Sequence, residues 1–491
     1  MKKNAIIIGA GLGGLAASIR LNAMGYEVTV LEKNDTFGGK LRDFEWNGYR
    51  WDNGPSLFTL PNQVDELFAL AGKNPKDYFD YHTMDHSCHY YFQDGTNFLI
   101  KSDEEQRNKD LVEHFNSADG NAAIEYITES SKTYEAIGDL FIDHPKYTLK
   151  NVFDRALLKQ YPKFLSRKLT GSLHQLNERK FTSDNLVRIF DRYATYNGSN
   201  PYKMSGLYSM VTHLEMNDGT YFPKKGMRSI VQSIYQLAND IGVKFIFNQS
   251  SIKATKKDTG GYVVNTDQDN FEATILISAI DVVNFYDNVL EDKKLAAKYA
   301  AKERSASALV FYWAVEKVIP EVKLHNIYFG EDYQEEFTNM FDRKKVTNKP
   351  TVYLHVSSTV NPEDAPENGQ NWFVMINLTA GMQVTDEERD QLRKHVYSVI
   401  KDKYDIDISP YIKHEEYWES ADIESITGAY KGALYGASSN SKLAALTRHG
   451  NSSKKYKDLY FCGGTVHPGG GIPLVLKSAK IVGELIRKSD G

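Results

Sequence analysis

Apolar positions run unbroken from Ala5 to Ile8, and a short continuous run of that kind predicts a strand buried on both faces. Leu15 to Leu21 (LAASIRL) then carries apolar residues at helical spacing and predicts a helix ending near Gly25. Glu27 to Leu31 (EVTVL) predicts a second strand, closed by Glu32. Further along, Val243 to Phe247, Ile275 to Ile280 and Ala308 to Val315 read as strands. After Gly471, Pro473 suits the first turn of a helix that continues through Ile486. The best apolar run, Ala273 to Ile280, is strand length, well short of the roughly 20 residues of a membrane-spanning helix. The N-terminal run has the look of a signal segment only until Gly9 and Gly11 interrupt it.

Composition narrows the classes. A chain of 491 residues exceeds one ordinary core, so two interleaved domains are expected. A hydrophobic fraction of 41% with 25% charged residues is that of a soluble globular protein and excludes a disordered chain. The formal charge of -5 and the lack of any recognition motif set nucleic acid aside as a partner. Cys88 and Cys462 are the only cysteines, so no disulfide framework is implied and the reducing cytoplasm is the expected compartment.

The loop between the first strand and helix reads Gly9-Ala10-Gly11-Leu12-Gly13-Gly14. Strand, glycine loop, helix, strand and terminal acid fall in the order a dinucleotide site requires. Gly9 permits the tight turn, Gly11 lets the backbone approach a pyrophosphate, and Gly14 lets the helix pack on the strand. The helix N-terminus favours the anion, and Glu32 would accept from ribose hydroxyls. Gly13 and Leu12 complete the loop.

Lys33 to Leu41 reads KNDTFGGKL, which resembles the second signature of FAD enzymes of the amine oxidase and phytoene desaturase superfamily. The resemblance implies that Gly38 and Gly39 bring N–H groups to the phosphates and that Lys33, Lys40 and Leu41 line the cofactor. Lys40 stands where relatives often carry arginine, keeping the charge without the fork. Tyr49 to Pro61 (YRWDNGPSLFTLP) is similar to the FDxGPSxxTxP segment of bacterial carotenoid desaturases, which places Gly54, Pro55, Ser56 and Leu57 at the cofactor. Arg192 to Pro201 (RYATYNGSNP) and Tyr221 to Met227 (YFPKKGM) resemble two further segments, the second with Lys225 in place of a glycine. Leu459 to Pro473 (LYFCGGTVHPGGGIP) is close to the family's LYxxGxxTHPGxGIP. From it come Gly463, Gly464, Gly471, Ile472 and Pro473 as cofactor contacts, while Ile252 falls where the superfamily meets adenine.

The implied fold class is α/β. A Rossmann-like FAD-binding domain (residues 1–82, 215–281 and 445–491) is interleaved with an α+β substrate domain (83–214 and 282–444), and a basic helical lobe spans 141–180. Between Lys146 and Lys180 nine basic residues face two acids, a balance of 9 − 2 = +7, interleaved with apolar residues at helical spacing. Such a stretch reads either as a solvated lysine face or as a monotopic contact with anionic lipid, and a lipid-soluble substrate favours the latter. The expected location is therefore cytoplasmic, at the inner face of the cell membrane. His82, Asp85, His86, Cys88 and His89 crowd eight positions, but their spacing fits no closed zinc pattern. No metal is expected there, and a strand entering the substrate domain is the reading.

The resemblance implies desaturation of a hydrophobic carotenoid, with hydride passing to flavin N5 and the polyene delocalising the positive charge. Val64 to Phe79 (VDELFALAGKNPKDYF), with the GGKL and GPSLFTLP stretches, looks closest to the hydroxycarotenoid 3,4-desaturase branch. Phytoene desaturation stands next, with carotenoid isomerisation or an amine oxidase-like activity after it. Asp154 and Arg155, in TLKNVFDRA, match the acid and arginine assigned in relatives, and His467 is either catalytic or a structural member of its glycine-rich turn. No second dinucleotide loop is seen, which leaves oxygen or quinone as the electron acceptor.

Overall fold

The computed structural model describes residues 3–137, 171–441 and 444–490. The stretch holding most of the basic lobe, with Asp154 and Arg155, lies outside the described residues.

Five parallel strands form one sheet in the order Leu459–Phe461, Ile275–Ser278, Asn4–Ile8, Glu27–Leu31, Lys244–Ile246. Asn4–Ile8 is paired on both edges, with Ile7 beside Ile277 and Val30, which explains why its apolar run has no polar alternation. The helix Leu12–Asn22 covers one face together with Arg228–Asp240 and Ile472–Asp490. It begins at Leu12, three residues before the start read from periodicity, so its first turn is built from the glycines themselves. Their low helix propensity is overridden by packing against the strand and the C-terminal helix. That last helix likewise runs four residues past Ile486, to Asp490.

A seven-stranded sheet lies beyond, in the order Ile412–Trp418, Ser307–Val315, Gln370–Leu378, Val352–Val356, His325–Tyr328, His86–Tyr91, Asn97–Lys101. Every residue of Ser307–Val315 is buried, as its central place requires. Apolar residues of the sheet and of the helix Asp386–Tyr404 share a core on one face. His86–Tyr91 joins as the strand expected from the histidine-rich stretch, with Cys88 buried and His89 Nε2 bonded to Asn97 Oδ1 at 2.9 Å. Among the described residues no group of three His, Cys, Asp or Glu is arranged to hold a metal ion.

Arg50, in the strand Tyr49–Asp52, ties distant segments together: its Nε and Nη2 donate to Asp364 at 2.6 and 3.1 Å while Nη1 donates to Asp52 at 3.1 Å. Asp52 in turn accepts from the amides of Met227 and Arg228 at 2.9 and 3.2 Å. Both carboxylates are buried, so this bidentate guanidinium is the charge that balances them. No described helix is long and apolar enough to cross a membrane.

Candidate cofactor and substrate site

Where the first strand ends, Gly9 turns the chain at φ +104°, and a Cβ there would lie 2.7 Å from the Ile280 side chain. Its amide is held by Leu31 O at 2.8 Å. Gly11 then caps the helix with no side-chain bond, so the first-turn N–H groups are left for another acceptor. Gly14, grouped with the cofactor contacts by its place in the loop, does not line the cavity described below and serves packing alone. A Cβ on it would stand 2.0 Å from Gly9 O, so its role is to let the helix lie against the turn.

Glu32 is buried at the end of the second strand. Its Oε2 accepts from Ala10 N at 2.7 Å, and its Oε1 from Asn34 N and Nδ2 at 3.0 and 2.9 Å. A carboxylate offers roughly four acceptor positions, so capacity for a ribose hydroxyl remains. The Gly38–Gly39 turn folds onto the first loop, with Gly11 and Gly38 bridged. Here an expectation fails: the Gly38 N–H donates to Ala10 O at 2.9 Å and is committed to the protein rather than to a phosphate.

Lys40 Nζ donates to Ala433 O and Leu434 O at 3.1 and 2.6 Å. Burial pulls its pKa down to about 8, opposed by the charge of Asp281, so an anion beside it would be stabilised and would restore the ammonium. Lys33 is exposed at the rim and reaches Ser425 O at 3.2 Å. Ser56 Oγ shares a 2.6 Å hydrogen bond with Tyr353, whose hydroxyl also meets His325 Nδ1 at 2.8 Å. His325 is kept neutral by burial, with His355, His86 and Arg192 adding to the effect.

Gly463 N donates to Ser478 Oγ at 2.8 Å, tying the glycine-rich turn to the helix that follows it. His467 is 5% exposed and held by its backbone: N donates to His449 O at 2.8 Å, and O accepts from Asn451 Nδ2 at 2.8 Å.

All of these elements border one cavity of about 1150 Å³. At one end it is lined by Gly9, Gly11, Leu12, Gly13, Glu32, Lys33, Gly39, Lys40 and Leu41, then by Gly54, Pro55, Ser56, Leu57 and Ile252, and by Gly463, Gly464, His467, Gly471, Ile472 and Pro473. Segments hundreds of residues apart thus converge on a cradle with a helix N-terminus, a carboxylate and a lysine, a donor set that fits FAD. The same cavity is lined by Val310, Ile327, Phe373 and Met375 of the seven-stranded sheet and by Met210, Val211 and Leu214.

Sequence reasoning did not single out Glu215, His325 or Tyr353, which also line this cavity. Arg192 and Tyr196 belong to the RYATYNGSNP segment, whose resemblance by itself gives them no role. The other three sit on elements far apart in the chain, and nothing in the local pattern points to them.

A parallel sheet with this glycine turn, opening into an apolar chamber under a second sheet, defines a dinucleotide-binding oxidoreductase with a built-in substrate cavity. Residues 12–486 match the flavin containing amine oxidoreductase family. The chain belongs to that family and is an FAD-dependent oxidoreductase. It is 42% identical over 485 residues to the 1-hydroxycarotenoid 3,4-desaturase of a Flavobacterium species, covering 99% of each chain. It is 28% identical over 525 residues to the phytoene desaturase of Fusarium fujikuroi, covering 100% of this chain and 90% of that one. Among solved structures it is similar in fold to an oxidoreductase from Methanosarcina mazei, with a TM-score of 0.63, 12% identity and coverage of 99% and 100%.

Proposed function

We propose that this protein desaturates a carotenoid, introducing a 3,4 double bond at the acyclic, hydroxyl-bearing end of an already conjugated chain. The observation that carries the reading is the 42% identity, over 99% of both chains, to a 1-hydroxycarotenoid 3,4-desaturase. The apolar walls of the cavity, continuous with the cofactor cradle, support it.

FAD, when bound, supplies the hydride acceptor at N5. The chain's own groups do the rest. Val310, Phe373 and Met375 exclude water and hold an extended hydrocarbon beside the cradle. The polyene spreads the positive charge left by hydride loss, which makes the neighbouring C–H acidic, so a weak acceptor suffices for the proton. The N-terminus of Ile472–Asp490 borders the cradle and favours negative charge there.

The basic stretch from Lys146 to Lys180 supports delivery of the substrate from an anionic membrane surface on the cytoplasmic side, with oxygen or quinone reoxidising the cofactor. Flotation with anionic liposomes tests the first point, and protein that stays at the bottom of the gradient refutes it.

The central test is anaerobic mixing of the flavin-loaded protein with acyclic carotenoids. Bleaching of the flavin is expected, together with a red-shifted carotenoid product. Absence of bleaching with every carotenoid overturns the reading. Expression in cells accumulating phytoene, and separately in cells accumulating 1-hydroxy-γ-carotene, distinguishes phytoene desaturation by which pigment changes.

A further inference from the structure

An apolar tunnel gives a polyene no fixed register. Successive double bonds present nearly the same surface, so walls of Val310, Ile327 and Met375 can grip the chain equally well after it slides. Selecting one terminal bond requires something that recognises an end.

Polar side chains interrupt the apolar lining at several places, His325, Glu336 and Thr351 among them. Arg192, Glu215 and Tyr196 also line the cavity, and there a cation and an anion stand side by side. Arg192 Nη2 donates to Glu215 Oε2 at 2.9 Å, and the Tyr196 hydroxyl donates to the same oxygen. The guanidinium lies 5.1 Å from the ring centres of Tyr90, Tyr193 and Tyr196. Arg192 and Glu215 are 8% and 3% exposed, so both charges have been removed from water.

A buried ion pair of this kind is seldom more stabilising than apolar residues of the same volume, and stability alone does not account for it. Nor is it saturated. Arg192 Nε is buried with no hydrogen-bond partner among the described residues, and so is Asn197 Oδ1, whose residue also lines the cavity. Among the described residues Glu215 Oε1 receives only a long 3.3 Å contact from Arg192 Nη2. The cluster therefore offers a charged acceptor and a charged donor within one largely apolar cavity, the complement of a single hydroxyl.

The cluster is also tied to the cofactor end of the cavity. Tyr353, hydrogen-bonded to Ser56, pairs in register with Ile327, and Ile327 pairs in register with Tyr90, over which Arg192 lies. Its place relative to the cradle is thus set by the rigid sheet rather than by a loop.

We propose that Arg192, Glu215 and Tyr196 form a hydroxyl-binding site that anchors the oxygen-bearing end of an acyclic carotenoid and so determines which bond faces the cofactor. This rests on the carotenoid desaturation proposed above. The alcohol O–H donates to Glu215 and its oxygen accepts from the guanidinium, while the hydrocarbon extends along the sheet. A carotene lacking the hydroxyl leaves these groups unpaired and is disfavoured about 10- to 100-fold, as expected for loss of a hydrogen bond to a charged group.

The experiment compares two acyclic carotenes that differ only in a tertiary terminal hydroxyl, presented in the same detergent micelles. The concentration dependence of anaerobic flavin bleaching gives an apparent Kd and a limiting rate for each, with the unsubstituted protein and with Tyr196→Phe and Glu215→Gln. Flavin absorbance shows that each variant is folded and loaded. The unsubstituted protein is expected to prefer the hydroxylated carotene 10- to 100-fold, mainly through the apparent Kd. Both variants should bring that ratio towards one and yield a mixture of desaturated positions. Bleaching by both carotenes at equal efficiency in the unsubstituted protein overturns the proposal while leaving the desaturase reading intact. An undiminished ratio in loaded variants overturns it equally, and no bleaching by either carotene removes both readings.

Discussion

Replacing Gly11 and Gly14 separately by alanine adds the same single methyl to two residues three positions apart, with opposite consequences. A Cβ on Gly14 would lie 2.0 Å from Gly9 O and 3.2 Å from Ala279 Cβ. The first is a backbone atom in a turn whose strand is paired on both edges, so the helix rather than the turn must move, by more than about 1 Å. Overpacking of this kind costs about 1–3 kcal/mol when flexible side chains can yield. With backbone against backbone the cost sits at the upper end, about 3 kcal/mol, a large part of a typical net stability. A Cβ on Gly11 meets nothing closer than Gly39 Cα at 3.7 Å, and φ −76° with ψ 175° suits alanine. Its cost to the fold is only that of a poorer helix cap, at most about 1 kcal/mol. Its methyl, however, projects where the pyrophosphate must approach the backbone, and about 1.4–2.7 kcal/mol of binding, or 10- to 100-fold in Kd, should be lost. Thermal melts of the apoproteins and fluorescence titration with FAD separate the two effects. Gly11→Ala should melt with the unsubstituted apoprotein yet bind FAD poorly, whereas Gly14→Ala should melt well below it. Unchanged FAD affinity in Gly11→Ala, or an unchanged melting temperature in Gly14→Ala, would refute this account of the loop.

Arg50→Met leaves the buried Asp52 and Asp364 carboxylates without their cation and should lower stability by about 3–5 kcal/mol, read as a fall in the urea midpoint. Arg50→Lys should recover only part of this, because an ammonium cannot span two carboxylates with one fork; full recovery would contradict the geometry. Lys40 supplies a pH test. Its folded pKa of about 8 lies below the ordinary 10.5, so between those values the unfolded chain binds the extra proton and stability rises with pH. Below about 8 the buried ammonium costs up to about 3 kcal/mol. Lys40→Met removes that cost but also two hydrogen bonds, so the informative quantity is the stability difference between variant and unsubstituted apoprotein. That difference should shift by up to about 3 kcal/mol against the variant on going from pH about 7 to about 10.5. A constant difference across that range would show that Lys40 is not desolvated.

The cofactor fold is written locally, which is why so much of it is legible from the chain. The run Ala5 to Ile8, the glycine loop and the Glu27–Leu31 strand follow one another within about thirty residues, and burial on both faces leaves a simple apolar signature even though distant strands supply that burial. The start of the first helix was misplaced by three residues because glycine propensity is a local quantity and packing against the C-terminal helix is not. The role of Gly14 was legible as packing, but its absence from the cavity wall was not. The Gly38 amide was assigned to a phosphate because only the folded turn shows Ala10 O already occupying it.

What lies beyond the cradle was decided by tertiary structure. Arg192, Glu215, Tyr353 and His325 come from a helical turn, a short helix and two strands, and no periodicity relates them. Sheet register brings Tyr353, Ile327 and Tyr90 into line, and that alignment places a buried ion pair in a mostly apolar chamber. The dinucleotide fold can be read from the chain because its strand, glycine turn, helix and acid come in a fixed local order. The positions of the chamber's polar groups cannot, because their neighbours are supplied by distant segments and exist only after the sheets have assembled.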